Sequence, residues 1–225
     1  MPFRDRAVSR DRAVFRDRTD AGEQLAHRLD RLRAAAPVVL GLPRGGVPVA
    51  APVAAALAAP LDVLVVRKLG VPGQPELAMG AVGEGGVVVL AERVLRAAGV
   101  AEADLDRVRE HQQAEVDRRV RLFREVRPRV PLAGRTVVLV DDGIATGSTA
   151  RAACAVARAQ GAARVVLAVP VCAPDSVPAL TAAADELVAL TSPPDFRSVG
   201  GAYADFRATE DDEVLDLLRR AAQPE

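Results

Sequence analysis

The chain has 225 residues, 50% of them hydrophobic and 3% aromatic, with a formal net charge of zero and a pI near 6.8. That length suits one α/β domain with decorations, built on a core of Val, Leu and Ala. The charge balance argues against nucleic acid or a membrane surface as partner. The longest apolar run, 49–61, contains Pro52 and Pro60 and is too short to cross a bilayer. The N-terminus lacks the apolar core of a signal peptide, so a cytoplasmic location is expected.

Arg-Asp-Arg occurs at 4–6, 10–12 and 16–18. No apolar stripe accompanies the repeat, and 1–14 is expected to be a disordered extension, with an interaction tail as the functional alternative. The remainder, 15–225, is expected to form a single domain. Asp20 followed by Glu23 makes a capping-box pattern before Leu25, Leu29 and Leu32, predicting an amphipathic helix over about 21–35. His27 falls off that stripe. Residues 37–42 read as a short buried strand that runs into Pro43-Arg44-Gly45-Gly46. Arg44 has the fork shape of a phosphate binder, and the glycine pair lets backbone approach a ligand closely. An Ala-rich helix over 47–59 follows. The next strand, 61–66, should end in Arg67-Lys68, where like charges side by side call for an anion. Lys68 is the only lysine in the chain. Residues 70–86 are rich in Gly and Pro and too long for a plain connector. They predict a flexible functional loop, whose second half could pair with 87–90 as a hairpin. The longest helical pattern, 101–127, has a sparse stripe of Leu105, Val108, Val116, Val120 and Phe123 and is otherwise charged. It reads as a solvated helix covering a sheet or as a subunit contact. His111 within it is assigned no role.

Residues 137–140 are four consecutive aliphatics, the mark of a strand buried on both faces. Asp141 and Asp142 follow where that strand should end, then a loop of small residues, then an Ala-rich helix over 150–160. Thr146, Gly147, Ser148 and Thr149 can aim N–H groups and hydroxyls at one anion. The carboxylates would repel that anion, and they suit vicinal sugar hydroxyls, since ionised carboxylates only accept hydrogen bonds. A phosphate beside a diol spells ribose 5-phosphate. Further strands are predicted at 164–171 and 186–190, with a helix at 174–184 between them and an amphipathic helix at 211–222. Cys154 and Cys172 read as small buried hydrophobes. Residues 191–207 hold three of the six aromatics, Phe196, Tyr203 and Phe206. These could stack on a planar base or anchor the tail to the core. Strands alternating with helices predict a doubly wound, mainly parallel sheet.

The stretch 137–149, Val-Val-Leu-Val-Asp-Asp-Gly-Ile-Ala-Thr-Gly-Ser-Thr, resembles the 5-phosphoribosyl-1-pyrophosphate (PRPP) binding motif of the type I phosphoribosyltransferases. Gly143 departs from it, because an aliphatic residue is usual there. The resemblance implies transfer of phosphoribosyl from PRPP, bound with Mg2+, to a nitrogenous base, with release of pyrophosphate. It implies Asp141 and Asp142 on the ribose hydroxyls, with Lys68 as a further catalytic residue. It places Ala145, Thr146, Gly147, Ser148 and Thr149 on the 5-phosphate, and Arg44, Gly45, Arg67 and Lys68 on the pyrophosphate. Mg2+ would ride on the pyrophosphate rather than in a protein cage. Hood elements would come from 70–90 and 191–210, with Phe196 and Tyr203 near the base. Family enzymes acting on 6-oxopurines usually carry Asp where this chain has Ala145, which argues against hypoxanthine or guanine. PRPP, an acceptor base and a second copy in a homodimer are the expected partners. The alternative is a non-catalytic sensor of PRPP or nucleotide with the same fold. A nucleotide-sugar or kinase-like protein is disfavoured, because the chain lacks a Walker loop and a Gly-x-Gly-x-x-Gly run.

Overall fold

The computed structural model describes residues 14–222. The predicted extension therefore lies outside the described residues but for Val14. Five parallel strands form the main sheet in the order β2 (Leu61–Val63), β1 (Val38–Gly41), β6 (Thr136–Val140), β7 (Arg164–Val171), β8 (Glu186–Thr191). The aliphatic runs explain why the strands are central. Successive side chains point to opposite faces, and both faces are covered. Val39, Val138 and Val140 pack toward α1 (Arg18–Leu29), α2 (Gly46–Leu57) and α7 (Asp211–Ala222). Val38, Val137 and Leu139 pack toward α5 (Ser148–Ala159) and α6 (Val177–Ala183). The sheet is thus doubly wound, as expected. After β1 the chain turns to one face, and after β6 to the other. The gap between these two neighbouring strands is the topological switch point of the sheet.

Three corrections belong to the local structure. The first helix starts earlier than expected, at Arg18. Its N-cap is Asp17, whose carboxylate accepts from the Asp20 N–H at 2.9 Å, and it gives way to a 3-10 turn over Asp30–Ala35. Asp20 instead lies in the first turn and accepts from the Arg16 N–H. Arg67 and Lys68 do not end a strand of the main sheet. The main-sheet strand stops at Val63, and both residues belong to β3 (Val66–Val71). The Gly- and Pro-rich stretch is not one flexible loop: its second half pairs with 87–90 in the expected hairpin, and its first half is strand as well. It forms β4 (Gln74–Gly83), which pairs antiparallel with β3 and with β5 (Val87–Leu90) in a separate three-stranded sheet. Buried Leu69, Val71, Met79 and Val82 join that small sheet to the core that also holds Val39, Val138 and Val140, which composition concealed. A short helix, α3 (Glu92–Ala98), was not anticipated. The long helix α4 (Glu102–Arg124) runs over the small sheet, with Val116 and Phe123 fully buried.

The small sheet is tied to the main one by a buried charge network. The Arg124 guanidinium makes two parallel bonds to Glu84, both 2.7 Å, and a third to Asp62 at 2.7 Å. Asp62 on β2 also accepts the N–H groups of Val63 and Val130. Burial opposes the Arg124 charge, yet Glu84 and Asp62 outweigh it and hold the group more basic than usual.

Among the described residues no helix is long and apolar enough to cross a membrane. Both cysteines are buried and unpaired, and burial pushes the Cys154 thiol up to about 11, which fits two small core residues.

Candidate functional site

The loops that leave β1 and β6 meet at the switch point, although about a hundred residues separate them in sequence. After β6 come Asp141 and Asp142, each only partly exposed. After β1 come Leu42 and Pro43, a cis Pro43–Arg44 peptide bond, and Gly45-Gly46 at the start of α2. The two loops touch closely. A Cβ added at Gly45 would collide with Asp142 Oδ2, and one at Gly46 would lie 2.5 Å from the Val140 carbonyl. Both positions therefore need glycine for close approach. Gly45→Ala should fold, because the clashing atom is a side chain, but it must push Asp142 away from Arg18. We expect weakened binding of any sugar-phosphate ligand at near-native melting temperature. A titration calorimetry comparison with the parent protein checks this.

The acidic pair titrates abnormally. Burial pushes the Asp141 carboxyl well up, and the neighbouring Asp142 charge adds to the effect. Burial also raises Asp142, but Arg18 pulls it back. Arg18 comes from the first turn of α1 and meets Asp142 Oδ2 through Nε at 2.9 Å and Nη2 at 2.8 Å. Its third nitrogen donates to the Arg207 carbonyl at 2.7 Å, and the guanidinium lies 4.0 Å over the Phe206 ring. Nothing in the sequence pattern singled out Arg18, which stands in the third copy of the charged repeat.

The loop from Ala145 to Thr149 is held in place from outside. Ile144 bonds to the end of β7 through the Val171 carbonyl and the Ala173 N–H. Ser176 Oγ donates to the Ala145 carbonyl at 2.6 Å. Gly147 takes φ +72° at the N-cap of α5, so Ser148 and Thr149 open the helix with their N–H groups unclaimed by the helix ladder. This is the geometry of an anion site at a helix N-terminus. Gly143, the departure from the motif, has a local cause. Val199 Cγ1 lies 2.5 Å from the position its Cβ would take, so a valine from the C-terminal segment fills the space of the usual aliphatic residue.

Facing the β1 loop is a cleft of about 480 Å³, with Leu42, Pro43, Arg67, Lys68, Arg119 and Thr149 among its lining residues. Arg67 and Lys68 thus reach the site from the small sheet rather than from a main-sheet strand end. Lys68 pairs with Glu76 at 2.8 Å and Arg44 with Glu210 at 3.2 Å, and both carboxylates are largely exposed. Arg67 stands 3.8 Å from Glu115. Arg119, on α4, was missed by sequence reasoning because a charged helix hides one inward arginine among many. Burial and the nearby Arg67 push its pKa down, with Arg44 and Arg118 adding to this and Asp211 opposing it. A partly buried cation surrounded by cations is poised for an anion. Among the described residues no group of three or more His, Cys, Asp or Glu is placed to hold a metal ion.

The aromatic segment corrects one expectation. Tyr203 is not available to a base. Its ring is 6% exposed and lies between Phe15 and Phe206, and its hydroxyl donates to the Asp142 carbonyl at 2.5 Å. Phe196 packs against the same cluster from its edge. The C-terminal segment thus reaches the site by way of the Phe15 cluster, with Tyr203 as its anchor.

The profile of the phosphoribosyl transferase domain matches residues 16–205. Proteins from two strains of Mycobacterium tuberculosis, provisionally named phosphoribosyl transferases, are each 58% identical over 204 residues, or 91% of this chain. The match takes in 46% of their length, so the chain spans about half the length of these curated relatives. The crystal structure of TT1426 from Thermus thermophilus is similar at 49% identity and a TM-score of 0.87, covering 92% of this chain and 98% of that one.

Proposed function

The chain belongs to the phosphoribosyl transferase domain family, and on that premise we propose that it binds Mg-PRPP and transfers the 5-phosphoribosyl group to a nitrogenous base. One observation carries the proposal: Gly45-Gly46 and Asp141-Asp142 close on each other at the switch point, with the Arg67, Lys68 and Arg119 cleft alongside. In this reading the loop 145–149 holds the 5-phosphate through the first turn of α5. Asp141 and Asp142 accept hydrogen bonds from the two ribose hydroxyls. The Gly45 backbone and the side chains of Arg44, Arg67, Lys68 and Arg119 hold the pyrophosphate. Arg44 and Lys68 are free to turn, because exposed ion pairs such as theirs are worth only about 0–1 kcal/mol.

The reaction breaks the bond between ribose C1 and the pyrophosphate oxygen. A ring nitrogen of the acceptor forms the new bond to C1 and gives up its proton to solvent. Negative charge grows on the departing pyrophosphate, so the cations gathered around it lower the barrier. Mg2+ carried by the substrate's pyrophosphate would add its charge to theirs. Ala145 leaves the position near the acceptor without a carboxylate, which favours an acceptor that needs no acidic partner at that point. Phe196 remains the candidate for contact with the base.

The test is release of pyrophosphate from Mg-PRPP across a panel of nitrogenous acceptors. Acceptor-dependent release is expected, and Lys68→Ala should lower kcat by about a hundredfold, the usual loss when one donor to developing charge is removed. Binding of Mg-PRPP without release for any acceptor would favour a sensor over an enzyme.

A further inference from the structure

Arg18 has no counterpart among the groups discussed as ligand contacts, yet it is the residue most closely engaged with the acidic pair. Its guanidinium meets Asp142 through two nitrogens, and both fall on the same oxygen, Oδ2. No other side chain among the described residues donates to Oδ1. The arginine is itself immobilised. Its side chain is 11% exposed, its third nitrogen is fixed on the Arg207 carbonyl, and its flat face rests on Phe206. The floor beneath is the Phe15–Tyr203–Phe206 stack. The segment 14–16 is stitched to 202–205 by backbone bonds from Val14, Phe15, Ala204 and Asp205.

We propose that Arg18 is the positioning residue of the acidic pair: by gripping one oxygen of Asp142 it keeps that carboxylate charged and turns the other oxygen toward the ligand. The proposal rests on the ribose-binding role given above to Asp141 and Asp142. A plain structural ion pair would be satisfied by any geometry. This one sets two guanidinium nitrogens against one oxygen and leaves the second without a side-chain donor among the described residues. The charged and titratable groups around Asp142 are few. Arg18 faces it from α1 and Asp141 from its own strand end. Tyr203 touches only its backbone carbonyl. Arg44 turns away to Glu210 and Arg207 to Glu213. Among the described residues Arg18 is thus the one cation paired with Asp142, beside a second carboxylate, and without it the Asp142 carboxyl would hold its proton to higher pH.

The experiment follows the Asp142 carboxyl carbon by 13C NMR against pH in the free protein, assigned with Asp142→Asn, for the parent, Arg18→Met and Arg18→Lys. The Asp142 transition is expected to move to higher pH in Arg18→Met and to lie between the two in Arg18→Lys, which keeps the charge but loses the fork. An unmoved transition in either variant overturns the proposal, and Arg18→Lys keeps the test standing if the Met variant does not fold. In parallel, Mg-PRPP affinity at pH 7 should fall about tenfold or more in Arg18→Met and recover as pH rises, as expected when protonation removes one charge-assisted hydrogen bond. A loss equal at every pH would mean that Arg18 serves only the fold. Failure of the parent protein to bind Mg-PRPP would sink the ligand assignment, while the carboxyl titration would still decide whether Arg18 sets the charge on Asp142.

Discussion

Replacing Asp141 with Asn is expected to raise the melting temperature at neutral pH while removing tight binding of Mg-PRPP. The two effects share one cause. Burial, with Asp142 beside it, raises the Asp141 carboxyl well above the ordinary value of 3.8. The folded state therefore holds a proton more firmly than the unfolded chain does. Stability from this group is greatest below the unfolded value and is lost as pH climbs from there through the folded one. Ionising this buried carboxyl is a cost to the fold that grows as pH rises. Asn removes the charge and can keep the one local bond, in which Oδ1 accepts from the Asp142 N–H at 2.9 Å. The gain should grow as pH rises and shrink toward pH 4. A charged acceptor for a sugar hydroxyl is lost as well, at about 1.5–3 kcal/mol, or roughly ten- to more than a hundredfold in affinity. Thermal unfolding at two pH values and titration calorimetry read the two effects. A lower melting temperature at both would contradict the account of the pair. A buried acidic pair that costs the fold stability, kept at a sheet's switch point, is what a site under functional demand looks like.

Arg124→Met should destabilise the protein by about 3–5 kcal/mol, the cost of leaving buried carboxylates without their cation. Asp62 is 1% exposed and the Glu84 side chain is 9% exposed, so neither can recover its solvation in place. Arg124→Lys should fare little better. An ammonium cannot reproduce the two-point bond to Glu84 and the third bond to Asp62 together. The consequence would extend to the site. Arg124 links α4, the small sheet and β2, and α4 and the small sheet carry Arg119, Arg67 and Lys68 to the cleft. Denaturant unfolding gives the stability change, and a loss below about 1 kcal/mol would show that the small sheet is held by apolar packing alone.

The main sheet was legible because its strands carry their signal locally. Four aliphatics in a row, an acidic pair and a run of small residues need no tertiary information to be read, and β6, α5, β7 and α7 stand close to where the pattern puts them. The small sheet was legible only in its hairpin with 87–90, and its pairing with β3 was not. Its longest strand, β4, begins Gln-Pro-Glu and contains two glycines, and its strand character comes from pairing with β3 and β5 and from cover by α4. Tertiary context overrode local propensity there. The candidate site divides the same way. Asp141, Asp142 and the loop 145–149 lie within one motif, and Arg44 and Gly45 follow a recognisable strand end. Arg18 and Arg119 reach the site only through the packing of α1 and α4. Of the arginine repeat only the third copy lies among the described residues, and there Asp17 caps a helix just after the buried Phe15. Tyr203 misled in the opposite sense, since an aromatic near a site loop can serve the base or the fold, and here its hydroxyl and its ring are engaged by the protein.

The measurement that bears most directly on the proposed function is calorimetric titration of Mg-PRPP into the protein, with ribose 5-phosphate as the comparison. The account predicts one site per chain, with Mg-PRPP bound more tightly than ribose 5-phosphate because Arg44 and the cleft of Arg67, Lys68 and Arg119 engage only the pyrophosphate. Equal affinity for the two would contradict the assignment of that cleft. No heat from either ligand would contradict the phosphoribosyl site itself.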